Sequence, residues 1–297
     1  MVDTVLTEYL HYIRYEKRYS PHTQIAYENN TREFIAFLET EYNNLSIKEV
    51  SHYHIRTWLS QLKSSGQKTK TINRKLSSLS NFFRFLLTQK HLTQNPLKSL
   101  HSLRINEERL PQFIKEKEAE SLLENVDFDE GFKGKTDRLI CDILYQTGIR
   151  RSELIDLKEN NIEWSLWQMR VMGKGSKERL IPLSESLLSS LKAYLADKKT
   201  LGLTFCNNLL ILENGKPLYP GYVYRIVHRY LATVTTIKKK SPHIMRHSFA
   251  THLLNNGANI QAIKELLGHS SLAATQVYTH INIEKLKEIH KLNHPKG

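Results

Sequence analysis

Apolar residues recur at helical spacing through the first hundred positions. In "VDTVLTEYLHYIRYEKRY", Val5, Leu6, Tyr9, Leu10 and Ile13 share one face. "SPHTQIAYENNTREFIAFLETEY" opens on Ser20 and Pro21, an N-cap followed by proline at the first helical position. A third segment, "SHYHIRTWLSQL", starts at Ser51. A fourth, "KTKTINRKLSSLSNFFRFLLTQK", carries Ile72, Leu76, Leu79, Phe83 and Leu86 on one stripe. The pattern predicts four helices joined by short loops, a compact helical domain over residues 1–100. Across 95–113 the periodicity lapses and two prolines and five charges appear, which marks 101–112 as a linker.

A second domain, 113–297, reads as mostly helical with a small antiparallel sheet. Helical spacing is found at 115–125, 135–147, 151–157, 185–197, 220–234, 242–255, 259–267, 271–279 and 283–292. "WQMRVM" and "RLIPL" alternate as strands do, with "GKGSKE" as the turn between them. "NLLIL" followed by "NGKPL" suggests a third strand and its turn. The chain as a whole is therefore expected to be mainly α.

Composition narrows the partners. No stretch approaches the roughly 20 apolar residues of a membrane span, and the charged first residues do not read as a signal peptide. A soluble, cytoplasmic protein is the expectation. Cys141 and Cys206 lie in apolar contexts without C-x-x-C spacing and read as buried, reduced thiols. Lys and Arg number 43 against 30 Asp and Glu, a net charge of +13. Residues 1–105 hold 15 basic and 8 acidic residues, and the remainder 28 and 22, so the excess is shared along the chain. A basic surface of that extent points to a polyanion, most simply nucleic acid. An anionic membrane fits less well, because no basic amphipathic terminal helix is present.

Chemistry concentrates in "SPHIMRHSFATHLL", residues 241–254. Ser241 and Pro242 start a helix, and Gly257 ends it. At about 100° per residue, Met245, Phe249, Ala250, Leu253 and Leu254 form an apolar stripe with Arg246 inside its azimuth. An inward arginine needs an anionic partner, since an unpaired buried charge is very costly. His243 stands one turn back from Arg246, at the helix start, where free N–H groups favour anions. His-x-x-Arg there reads as a phosphate clamp. The His243/His247 pair also has metal-ligand spacing, but His252 faces elsewhere and no carboxylate occupies the general-base position, so no metal is expected. His247 and His252 read as hydrogen-bonded structural residues.

Four further segments supply what a clamp needs to become a catalyst. "TGIRRSEL" places Arg150 at a helix start with Glu153 three residues on to hold it; a guanidinium can bind two phosphate oxygens at once. "MGKGSKER" puts Lys174 at a hairpin tip, able to protonate a leaving alkoxide. "ELLGHSSL" sets His269 just past a helix end, as a donor to a phosphate oxygen, and "ATQVYTHI" offers Tyr278 as a nucleophile. Taken singly, each has a bland reading: a surface ion pair, a solvated lysine, a capping histidine, one tyrosine among 14.

In this order the set resembles that of the tyrosine recombinase, or phage integrase, family, and within it the Xer recombinases most. The matching positions are Arg150, Glu153, Lys174, His243 and Arg246 in His-x-x-Arg, His269 and Tyr278. "YSPHTQIAYENNTREFIAFL" and "TINRKLSSLSNFFRFL" look like the family's N-terminal core-binding, SAM-like domain, so the resemblance spans nearly the whole chain. Arg151, a charge at a usually apolar position, departs from the pattern. The resemblance implies a C-shaped clamp of two domains on double-stranded DNA. It implies cofactor-free cleavage through a 3′-phosphotyrosine. It also implies a homo- or hetero-tetramer with a paralogous recombinase on two DNA sites, and a septal DNA translocase as a further partner. Lys68, Lys70, Arg74, Lys75 and Arg84 become the DNA-contact candidates of the helical domain. The tail "NIEKLKEIHKLNHPKG" resembles the segment that docks on a neighbouring subunit. Chromosome dimer resolution at a terminus site is the expected role. A transposon or phage integrase of the same family, or DNA relaxation like that of a type IB topoisomerase, stands as the alternative.

Overall fold

The computed structural model of the protein describes residues 2–98, 100, 103, 112–173 and 178–268. The chain divides into two compact units, Met1–Glu108 and Arg109–Gly297. The described residues are mostly helical, with one small antiparallel sheet.

The first unit holds α1 (Val2–His11, extended by a π-helical turn Tyr12–Glu16), α2 (Pro21–Glu41), α3 (His52–Ser64) and α4 (Thr69–Thr88). Ser20 caps α2 as its sequence implies, its Oγ accepting from Thr23 N at 3.3 Å. Tyr9, Phe34, Trp58, Ile72, Phe83 and Leu86 form the centre of the core. Phe34 meets Trp58 edge-on, ring centres 5.1 Å apart. Asn30 Nδ2 donates to Ser78 Oγ at 2.8 Å, so the α2–α4 contact is polar at one point as well as apolar.

One basic residue of α4 is not where its sequence suggests. The Lys75 side chain is 8% exposed and bonds both carboxylate oxygens of Glu33 on α2. Its charge is met by Glu33 inside the domain, so Lys75 does not stand with the exposed cations of α4. Lys68, Lys70, Arg74 and Arg84 are exposed. Lys70, Arg74 and Arg84 share one side of α4 with Ser77 and Asn81.

The second unit is built around α6 (Gly131–Thr147), which is buried on nearly every side. About it lie α5 (Glu116–Glu124), α7 (Arg151–Asp156), α8 (Glu185–Thr200), α9 (Pro220–Val234), α10 (Pro242–Asn255) and α11 (Ile260–Leu267). α6 starts four residues before the expected position because Gly131 and Gly134 interrupt the apolar signal of its first turn. The sheet has the order β1 (Ile162–Glu163), β2 (Gln168–Met172), β3 (Glu178–Pro182), all antiparallel. The expected hairpin is present, pairing Met169 with Ile181 and Val171 with Arg179. The third strand is not the expected one. Residues 208–212 make only isolated bridges, because Leu209 N and Asn208 Nδ2 bond the carbonyls of Leu157 and Ile155 at the end of α7. The sheet edge is taken by β1 instead. Cys141 is buried and Cys206 half-buried, both free. The helices expected at 271–279 and 283–292, and the tail, lie outside the described residues. Among the described residues no helix is long and apolar enough to cross a membrane.

Candidate active site

α10 delivers two histidines and an arginine to three environments. Arg246 is buried at 6% exposure, as its azimuth requires. His243 is exposed at the helix start. His252 is buried and structural: its Nε2 donates to Ile114 O at 2.7 Å, which leaves Nδ1 to accept from the Tyr145 hydroxyl at 3.0 Å. Ile114 N also donates to Ser248 Oγ at 2.8 Å, so two α10 side chains fasten the start of this unit. Among the described residues, no group of three His, Cys, Asp or Glu is placed to hold a metal ion.

The hydrogen-bond partners of Arg246 are two backbone carbonyls rather than the anion expected from its burial. Nη1 donates to Gly148 O at 2.5 Å and Nη2 to Leu267 O at 2.6 Å. These carbonyls end α6 and α11, where the helix dipoles are negative. Burial lowers the Arg246 pKa to about 10, assisted by Arg150 and Arg179 and opposed by Glu153. The group therefore stays charged around neutrality. Gly148 is needed for this contact. Its φ is 60°, and a Cβ there would sit 2.4 Å from Phe249 Cδ1.

Arg150 stands two residues after Gly148, as the N-cap of α7. Glu153 Oε2 accepts from the Arg150 backbone N at 2.7 Å, and Oε1 accepts from Arg150 Nη1 at 2.7 Å. The other end of the guanidinium, Nη2, donates to Gly268 O at 2.9 Å. The side chain keeps 36% exposure, so it is held without being covered. Ile149, Arg150, Tyr224, His243 and Arg246 line one cavity of about 470 Å³. Arg151 lines it too, its Nη1 donating to Pro220 O at 3.4 Å.

The structure thus brings Arg150, His243 and Arg246 to one open cavity, with Glu153 behind Arg150. Lys174, His269 and Tyr278 lie outside the described residues. One residue was missed in the sequence. Arg179, on β3, donates from Nη1 and Nη2 to the two oxygens of Glu153 at 3.0 and 2.7 Å. Its Nε donates to Leu266 O at 2.7 Å. Burial alone would raise the Glu153 pKa, but Arg179 and Arg150 outweigh it and hold the carboxyl at about 2. A signal existed: Arg179 shares its strand face with Ile181 and sits opposite Val171, so a charge stands on an otherwise buried face.

The phage integrase family pattern matches residues 112–285, and the pattern for the phage integrase N-terminal SAM-like domain matches residues 6–90. A tyrosine recombinase XerC of Staphylococcus haemolyticus is 36% identical over 296 residues, covering 100% of this chain and 98% of its own. A tyrosine recombinase XerC of Halalkalibacterium halodurans is 34% identical over 301 residues, covering 99% and 98%. Among solved structures, the XerH site-specific recombinase bound to a palindromic difH substrate, a post-cleavage complex, superposes with a TM-score of 0.71 at 23% identity over 90% of this chain and 78% of that one. The Tn1549 transposon integrase with circular intermediate DNA gives 0.70 at 24% identity over 96% and 98%. These structures share the fold.

Proposed function

The chain belongs to the phage integrase family and is a tyrosine recombinase, and from that premise we propose how its residues divide the chemistry. Arg150 and Arg246, with His269, bind the non-bridging oxygens of a scissile phosphodiester. Tyr278 Oη attacks the phosphorus, and the bond to the 5′-oxygen breaks. The 3′-phosphate stays on the enzyme as phosphotyrosine. Lys174 gives the leaving 5′-oxygen its proton, and His243 accepts the proton of the tyrosine. One phosphoester replaces another, so the reverse attack by a 5′-hydroxyl from a second strand rejoins the DNA. Fixed cations stabilise the charge that builds on the phosphate oxygens.

The convergence of two guanidiniums and His243 on one open cavity carries this reading. Glu153 keeps Arg150 pointed while neutralising only part of the local positive charge. The substrate is double-stranded DNA, recognised in part by the exposed cations of α4. The likeness to relatives named XerC favours resolution of chromosome dimers at a terminus site, in the cytoplasm, by a tetramer on two DNA sites that includes a paralogous recombinase. A septal DNA translocase is the regulator that role calls for. The structural likeness to a transposon integrase keeps mobile-element integration as the second reading.

The test is strand exchange between two differently labelled duplexes carrying the host terminus site, with the purified protein alone and with its paralogue. Recombinant product that disappears in Tyr278→Phe supports the reading. Supercoil relaxation without exchange would place the protein with the topoisomerases instead.

A further inference from the structure

Three arginines end on three successive carbonyls of one helix terminus. Arg179 Nε bonds Leu266 O, Arg246 Nη2 bonds Leu267 O and Arg150 Nη2 bonds Gly268 O. The negative end of the α11 dipole attracts all three. Two of them belong to the proposed phosphate pocket. The third, Arg179, does not line the cavity, and its side chain is 11% exposed.

We propose that Arg179 is a positioning residue for DNA cleavage, acting through Glu153 on Arg150. The inference rests on the assignment of Arg150 as a phosphate ligand. Two physical arguments support it.

The first is geometric. Glu153 receives four donors: the Arg150 backbone N, Arg150 Nη1, and Arg179 Nη1 and Nη2. Each carboxylate oxygen is shared between the two arginines, so the plane of the carboxylate is fixed. Without Arg179, two donors remain, both from Arg150, and the carboxylate is free to turn. Arg179 also joins strand β3 to α7 and to the end of α11. By sequence, Lys174 lies five residues before Arg179, and His269 directly follows Gly268. The same side chain thus fastens described residues next to three segments of the site.

The second is electrostatic. A lone Arg150–Glu153 pair is neutral overall and would offer a phosphate little net charge. Arg179 shares the carboxylate and restores one positive charge to the cluster. With Arg246 the pocket wall then carries two, against one charge on the diester. Lysine at 179 keeps the charge but lacks the fork that spans both Glu153 oxygens and Leu266 O.

The experiment uses the full chain and a nicked suicide duplex. Single-turnover rates of covalent adduct formation are measured at saturating DNA for wild type, Arg179→Gln, Arg179→Lys, Glu153→Gln and the Arg179→Gln/Glu153→Gln double variant. DNA affinity and melting temperature are measured for each. Arg179→Gln is expected to cleave ~10- to 100-fold more slowly, the scale of a small misplacement in a positioned site, with affinity within about 3-fold because no phosphate contact is lost. Arg179→Lys is expected to fall between. The double variant is expected to be no slower than the slower single variant, since both remove the same link. In Arg179→Gln the Glu153 carboxyl loses two donors and its pKa rises, so the variant's cleavage rate is expected to fall further behind wild type as the pH is lowered.

No adduct from wild type refutes the recombinase reading, not this inference. With wild type active, a wild-type rate in Arg179→Gln overturns the proposal. So does a double variant whose losses multiply, which would give Arg179 a structural role independent of Glu153. Should Arg179→Gln not fold, Arg179→Lys decides: a wild-type rate there shows that the fork geometry is irrelevant.

Discussion

Glu153 grips Arg150 at two points, 2.7 Å from its backbone N and 2.7 Å from its Nη1. A helix cap and an arginine clamp are thereby one interaction. The backbone contact fixes where α7 begins, and the side-chain contact fixes where the guanidinium points.

The carboxyl of Glu153 has its folded pKa depressed, to about 2 from the usual 4.5. Such a group contributes stability that is fully present above its unfolded pKa and is lost as pH falls through the folded one. The contribution is about 3 kcal/mol at most. The stability difference between wild type and Glu153→Gln, measured by urea unfolding, should therefore shrink between pH 6 and pH 3. A difference that does not change with pH would mean the carboxylate is not held as described.

Gly148→Ala should strain both the fold and the site. The left-handed φ of 60° disfavours alanine, and the added methyl meets Phe249. A loss of about 1–3 kcal/mol is expected. The carbonyl that receives Arg246 must shift with it, so single-turnover cleavage should also slow. A stable variant with full cleavage would show that the Gly148–Arg246 contact is dispensable.

The two outer histidines of α10 should separate cleanly. His252→Ala removes the hydrogen bonds that the Tyr145 hydroxyl and the Ile114 carbonyl make to the buried imidazole, at a cost of about 1–3 kcal/mol. Its cleavage rate should hold wherever it is folded. His243→Ala should cleave ~10²-fold or more slowly, the usual weight of a general acid–base group, with its melting temperature nearly unchanged. The reverse pattern would reassign the helix.

On α4, Arg74→Gln and Arg84→Gln should each weaken DNA binding and lower the slope of log K against log salt by about 1, as loss of a phosphate contact does. Lys75→Gln should instead lower the melting temperature, because Lys75 serves Glu33 inside the domain. Equal salt slopes for all three variants would contradict the division between exposed and inward cations.

Much of this was legible in the sequence because it is written in local signals. Ser20–Pro21 and Ser241–Pro242 start helices, Gly148 and Gly257 stop them, and the α10 stripe places Arg246 inward. What escaped depends on contacts between distant segments. Lys75 is basic at an unremarkable helix position until Glu33, 42 residues away, is packed beside it. Residues 208–212 have strand composition, yet the end of α7 claims their donors. The carbonyl partners of Arg246 carry no residue identity at all, so no sequence pattern could announce them. Arg179 gave a trace, a charge on a buried strand face, but its meaning required Glu153 and Leu266 in place.

The central claim is that this cluster of cations holds a DNA phosphate for attack by Tyr278. The most direct measurement traps the wild-type protein on a nicked suicide duplex, digests the adduct and locates the nucleotide-bearing peptide by mass spectrometry. The account predicts one modified peptide, 3′-phosphate linked to Tyr278, abolished by Tyr278→Phe and strongly reduced by Arg150→Ala and Arg246→Ala. An adduct on any other residue, or one that survives Tyr278→Phe, would contradict it.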